Sequence, residues 1–136
     1  MSWSTKVLFP GEAKGTVLRL DAPISFWGGI DPETSEVILS QHPQVGLTIS
    51  EKLLVIPEPI GSSSSAAIIL ELLFAGLAPN ALILGTSRDA ILPVGVLVAE
   101  QMNWSTIPIL AMQNPPFKTG ETLEILKNGT VQVLSL

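Results

Sequence analysis

A glycine followed by four serines, Gly61-Ser62-Ser63-Ser64-Ser65, runs directly into an apolar stretch that contains neither Gly nor Pro until Gly76. Glycine accepts awkward backbone and lets a ligand approach the chain closely. Serines ahead of an apolar run signal a helix start. The first N–H groups of a helix point outward with partial positive charge, which suits a carboxylate or a phosphate, and serine hydroxyls add donors to the same ligand. Those donors would also favour an alkoxide on a serine held among them, and an alkoxide is a base. The same residues also admit a plainer reading, an over-supplied helix cap. No base residue lies nearby in sequence, so a self-contained Ser-His-Asp triad is unsupported.

A second segment, Ser25-Phe26-Trp27-Gly28-Gly29-Ile30-Asp31-Pro32, sets two aromatics beside two glycines and an acid. That composition makes an irregular loop. Phe26 and Trp27 either anchor it in the core or meet a ligand or partner. The single histidine, His42 before Pro43, is either a hydrogen-bonded structural residue or a supporting site residue. There are no cysteines, so disulfides, thiol nucleophiles and Cys-bound metals within this sequence are excluded. One histidine cannot build a metal site alone, so metal chemistry would borrow ligands from elsewhere. Asn103-Trp104-Ser105 and Asn128-Gly129-Thr130 match a glycosylation acceptor pattern but read as turns.

These segments need elements to position them. Pro and Gly number eleven each and cut the chain into short pieces. Residues 15–20, 36–39 and 52–56 read as strands, the last a continuous apolar run of the kind buried on both faces. Residues 66–74 read as a helix ended by Gly76 and Pro79. Counted from Ser63, that helix is apolar around most of its circumference, so it should be covered on several sides. Residues 81–84 read as a short buried strand and 107–110 as another. Between them, Pro93 opens a second helix that runs through Met102, with Arg88-Asp89 resembling a helix start. Residues 121–126 and 130–134 flank Asn128-Gly129, a hairpin signal in which both turn residues take positive φ. The result is mixed α/β: β-rich, with two central helices.

The length of 136 residues fits one domain, 1–136. Hydrophobic residues make up 46% of the chain and charged residues 14%, below the roughly 25% usual in soluble domains. So few charges leave an apolar face that should meet another protein. A net charge of -5 with few, unclustered cations argues against nucleic acid. No apolar run reaches the roughly 20 residues of a membrane span, and no secretory signal opens the sequence, so a cytoplasmic chain is expected.

The loop Ser25–Pro32, the stretch His42-Pro43-Gln44-Val45-Gly46, the serine run, and Gly76-Leu77-Ala78-Pro79, taken in this order, resemble the small, swivel-type unit of the aconitase X family. The resemblance covers the chain from about Gly11 onward. It implies the swivelling β/β/α fold shared with the small units of aconitase and isopropylmalate isomerase. It also implies a large catalytic subunit that carries iron or an iron–sulfur cluster, none being bound by this chain alone. The activity implied is dehydration of a small carboxylic acid such as cis-3-hydroxy-L-proline or mevalonate 5-phosphate. Carried over residue by residue, Ser62 becomes the general base. Gly61, Ser63 and Ser64 contact the substrate carboxylate. Phe26, Trp27, Gly28, Gly29 and Asp31 line the closed site or the partner, and His42 supports it. The segment Pro57-Glu58-Pro59-Ile60 carries no cation, so the large subunit supplies positive charge or the substrate differs. The competing expectations are a metal-free enzyme acting alone through the same serines, and a non-catalytic carboxylate-binding module.

Overall fold

The runs Leu53–Ile56 (β4) and Ala81–Leu84 (β5) are apolar at every position, and every one of those residues is buried. Side chains alternate across a strand, so such runs need cover on both faces. The computed structural model, which describes residues 1–135, shows what covers each face. Leu54, Ile56, Leu82 and Leu84 pack in one core with Ile69, Leu72 and Val96 from the helices Ser65–Ala75 (α2) and Ile91–Gln101 (α3). Leu53, Val55, Ala81 and Ile83 pack in a second core with Phe117, Leu123, Ile125 and Val131. Burying each Leu, Ile or Val contributes about 1.5–3 kcal/mol, so both cores weigh in the fold.

The remaining elements are β1 (Ser2–Trp3), β2 (Lys6–Phe9), β3 (Ala13–Arg19), a four-residue turn α1 (Phe26–Gly29), β6 (Ile109–Ala111), β7 (Thr122–Ile125) and β8 (Val131–Ser135). The strands form one sheet in the order β1-β8-β7-β3-β4-β5-β6-β2. The sheet bends at β3. Its first half, from Ala13, pairs antiparallel with β7, and its second half, Val17 to Arg19, pairs parallel with β4. Strands β3 to β6 run parallel, while β7 and β8 curl over the face opposite the helices. The layering is helices, parallel strands, curled antiparallel strands, which is the β/β/α arrangement implied by the resemblance.

Several local expectations are corrected. Residues 36–39 make no strand. Val37 and Glu36 form isolated bridges to Ile30 and Thr48 within a long connection. The second helix begins at Ile91 rather than Pro93, because Asp89 Oδ1 accepts from the N–H of Ile91 (2.8 Å) and Leu92 (3.2 Å) and caps the first turn. The last parallel strand is Ile109–Ala111, displaced past Pro108. Strands β1 and β2 are edge strands of two and four residues, too short to show a period in the sequence. The Asn128-Gly129 hairpin is real, but Gly129 alone has positive φ (91°). Gly129 N–H donates to Leu126 O and Leu126 N–H to Thr130 O, both at 2.9 Å, a type I turn followed by a bulge.

Candidate functional site

Parallel α/β sheets bind ligands beyond the carboxyl ends of their strands. Here three segments leave those ends: residues 20–30 after β3, 57–64 after β4 and 85–90 after β5. They are laced together by backbone. Leu20 N–H donates to Val55 O (2.9 Å), Ile60 N–H to Ile24 O (2.9 Å) and Gly85 N–H to Ile56 O (2.9 Å). A Cβ on Gly85 would stand 1.9 Å from Pro57 O, so only glycine allows the β4 and β5 loops to lie this close.

The serine run enters α2 from this edge. The four serines have different surroundings. Ser65 is buried, and its Oγ accepts from Trp27 N–H (3.1 Å) and shares a hydrogen bond with Ser25 Oγ (3.0 Å). Ser62 and Ser64 are half-buried and Ser63 is exposed. Among the described residues, no side-chain hydrogen bond engages any of these three, and none of them caps α2 through its hydroxyl. Ser62 O accepts from Ser65 N–H at 2.9 Å, which winds the run into the helix. The expectation that serine hydroxyls cap the helix is therefore corrected: Ser65 ties the helix to the aromatic loop, and Ser62, Ser63 and Ser64 keep free hydroxyls.

The aromatic loop divides its two rings. Phe26 is buried in the helix-side core, whereas Trp27 is 58% exposed beside it. Gly28 has φ of 80°, the left-handed region that favours glycine. Gly29 is needed for space, since a Cβ there would come within 2.6 Å of Ile24 Cγ1. Phe26 thus anchors the loop and offers nothing to a ligand, while Trp27 and Gly28 face outward. Asp31 Oδ1 accepts from Glu33 N–H (2.8 Å), a turn-forming use of its carboxylate.

His42 is buried (3% exposed) with both ring nitrogens in use. Nδ1 accepts from Gln44 N–H at 3.0 Å, which leaves Nε2 to donate to Ala22 O at 3.0 Å. It pegs the long connection to the start of the aromatic loop and leaves no nitrogen for a substrate. Exposed Ile38, Leu39, Val45 and Leu47 stand on that connection, which Ile38 N–H joins to Gly29 O at 2.8 Å. Trp27 and Ile60 are exposed apolar residues as well.

A cavity of about 410 Å³ opens between the β4 and β5 loops, lined by Gly61, Thr86, Arg88, Asp89 and Ile91 among others. Thr86 and Arg88 were missed in the sequence, where Arg88-Asp89 read only as a helix start. The available signal was their place directly after a fully apolar strand. A second cavity, also about 410 Å³, lies at the opposite ends of the strands around Lys14, Glu51 and Asn80, away from the serines. Among the described residues, no three His, Asp or Glu side chains gather as a metal-ligand set, so this part of the chain does not fit an iron centre. No described helix is long and apolar enough to cross a membrane.

A family model described as the aconitase X swivel domain matches residues 2–133. The chain is 37% identical over 128 residues to a cis-3-hydroxy-L-proline dehydratase of Hypocrea jecorina, aligning 93% of this chain with 21% of that protein. It therefore spans about a fifth of that relative's length. It is 33% identical over 92 residues to a phosphomevalonate dehydratase small subunit of Thermococcus sibiricus, covering 68% of this chain and 70% of that one. Among solved structures, aconitase X of Thermococcus kodakaraensis in its holo-form superposes with a TM-score of 0.88 at 28% identity over 99% of both chains.

Proposed function

The chain belongs to the aconitase X family as its swivel domain, and from that premise we propose that it serves as the small subunit of a dehydratase, with Ser62 as the general base. One observation carries the reading. Of the serines at the mouth of α2, Ser65 is spent on holding the aromatic loop, while the half-buried Ser62 beside the crevice keeps its hydroxyl free. The substrate class is a small hydroxy acid such as cis-3-hydroxy-L-proline or mevalonate 5-phosphate.

In this mechanism Ser62 Oγ, as the alkoxide, takes the proton from the carbon α to the carboxylate. The electron pair of that C–H bond forms the double bond, the C–O bond to the hydroxyl breaks, and the departing hydroxide takes up one proton while Ser62 releases the one it took, so that water is lost and the alkoxide is restored. Ser63 and Ser64 hold the carboxylate through their free hydroxyls at the positive end of the α2 dipole. Trp27 and Gly28 close the site against the large subunit and exclude water. An iron centre on the large subunit would supply Lewis-acid assistance to the departing hydroxide.

The test is to purify the tagged chain from its native cells, weigh the complex, assay it for iron, and offer it both acids. A stoichiometric cysteine-containing partner, iron and dehydration of one acid are expected. Turnover by the iron-free single chain in the presence of a chelator would overturn the reading.

A further inference from the structure

We propose that Arg88, from the loop joining β5 to α3, binds the carboxylate of the substrate acid and so sets specificity. The inference rests on the dehydratase reading and supplies the cation that Pro57-Glu58-Pro59-Ile60 lacks. Among the described residues, Arg88 is the only cation lining the 410 Å³ cavity that Gly61 also lines, and Gly61 immediately precedes Ser62. The spacing of the two loops is held by the contact of Gly85 with Pro57 O.

The other cations near the carboxyl ends of the strands stand apart from this cavity. Arg19 Nη1 donates to Pro115 O (2.6 Å) and Phe117 O (3.0 Å), and its Nε lies 3.4 Å from Asp21 Oδ1. Lys6 borders a separate cavity of about 150 Å³ that does not include Gly61. Arg88 is exposed and, among the described residues, its guanidinium has no ion pair. Its backbone N–H donates to Thr86 Oγ1 (3.1 Å), which shapes the turn that carries it. Asp89 Oδ1 accepts from two N–H groups of α3, and among the described residues its carboxylate makes no ion pair with Arg88.

The chemistry of the cavity selects the ligand. A guanidinium presents paired donors that match a carboxylate in two parallel hydrogen bonds. The adjacent Asp89 carboxylate brings the side-chain charge of the cavity to zero, which favours a singly charged carboxylate over a doubly charged phosphate. The cavity reaches the serine run through Gly61, the residue before Ser62.

The experiment uses the assembled complex and whichever of the two acids it dehydrates. Arg88→Gln is expected to raise KM about 10- to 100-fold with kcat within about threefold, and Arg88→Lys to recover part of the loss. Calorimetry on the Ser62→Ala complex, which binds the acid without consuming it, should show the same loss of affinity when Arg88→Gln is added. Unchanged KM and affinity in Arg88→Gln, with Ser62→Ala inactive, would overturn the inference and leave the dehydratase reading intact. Competition by inorganic phosphate that depends on Arg88, with none by L-proline, would overturn the carboxylate assignment. Dehydration of neither acid would overturn the dehydratase reading, and this inference with it.

Discussion

Ser65 Oγ lies 3.0 Å from Ser25 Oγ, so a hydroxyl in the first turn of α2 meets a hydroxyl in the aromatic loop. The same Ser65 oxygen accepts from Trp27 N–H. One buried atom thus fixes the loop that presents Trp27 relative to the helix that presents Ser62. Ser65→Ala removes that atom and strands the Trp27 N–H. A loss of about 1–3 kcal/mol in urea denaturation is expected. In the complex, turnover should fall less than in Ser62→Ala, because the base itself remains.

Ser62→Ala should separate chemistry from folding. No side-chain bond engages Ser62 among the described residues, so stability should change by no more than about 0.5 kcal/mol. Turnover by the assembled complex should fall about 100- to 10,000-fold, the usual contribution of a positioned base. Parallel denaturation and steady-state kinetics check both halves.

Gly85→Ala tests whether the β4 and β5 loops must touch. The added methyl would overlap Pro57 O, a backbone atom that cannot swing aside. Overpacking of this kind costs about 1–3 kcal/mol, and more where backbone must move. A lower urea midpoint and amide shifts confined to residues near 57 and 85 are the expected result.

His42→Ala should behave as a structural lesion. It removes the acceptor for Gln44 N–H and the donor for Ala22 O in a buried place. The expected cost is about 2–4 kcal/mol. The KM of the folded complex should be unchanged, since both nitrogens already have backbone partners.

Ser35→Gly should stabilise the chain. Ser35 is fully buried at φ of 62° and its Oγ has no hydrogen-bond partner. Glycine relieves the left-handed strain and the unsatisfied hydroxyl together. Against the entropy of glycine and the small void left behind, a net gain of about 1 kcal/mol is expected, read as a higher urea midpoint.

Strands β4 and β5 and helix α2 were legible because apolar runs and their Gly, Pro and Ser boundaries are local signals. The family resemblance was legible in the aromatic loop and the serine run. Other features depend on contacts between segments far apart in sequence. Nothing local says that Ser65, rather than Ser62, turns toward Trp27. Arg88 comes beside Gly61 only because β4 and β5 pair in parallel. Residues 36–39 have the composition of a strand but no neighbour with which to form a ladder, so they remain single bridges.

Strands β1 and β2 are separated only by Ser4 and Thr5, yet they occupy opposite ends of the sheet order. Ser2 pairs with Gln132 and Lys6 with Ala111, while Thr5 Oγ1 donates to Gly129 O and bridges the gap. The sheet therefore closes through residues 2–9, which must wait for partners far later in the sequence. Loop closures this long are slow. During synthesis, residues 2–9 stay unpaired until β6 and β8 have been made, and the edges of β6 and β8 stay open until those residues dock. Removing residues 2–9 would expose both edges at once to self-association.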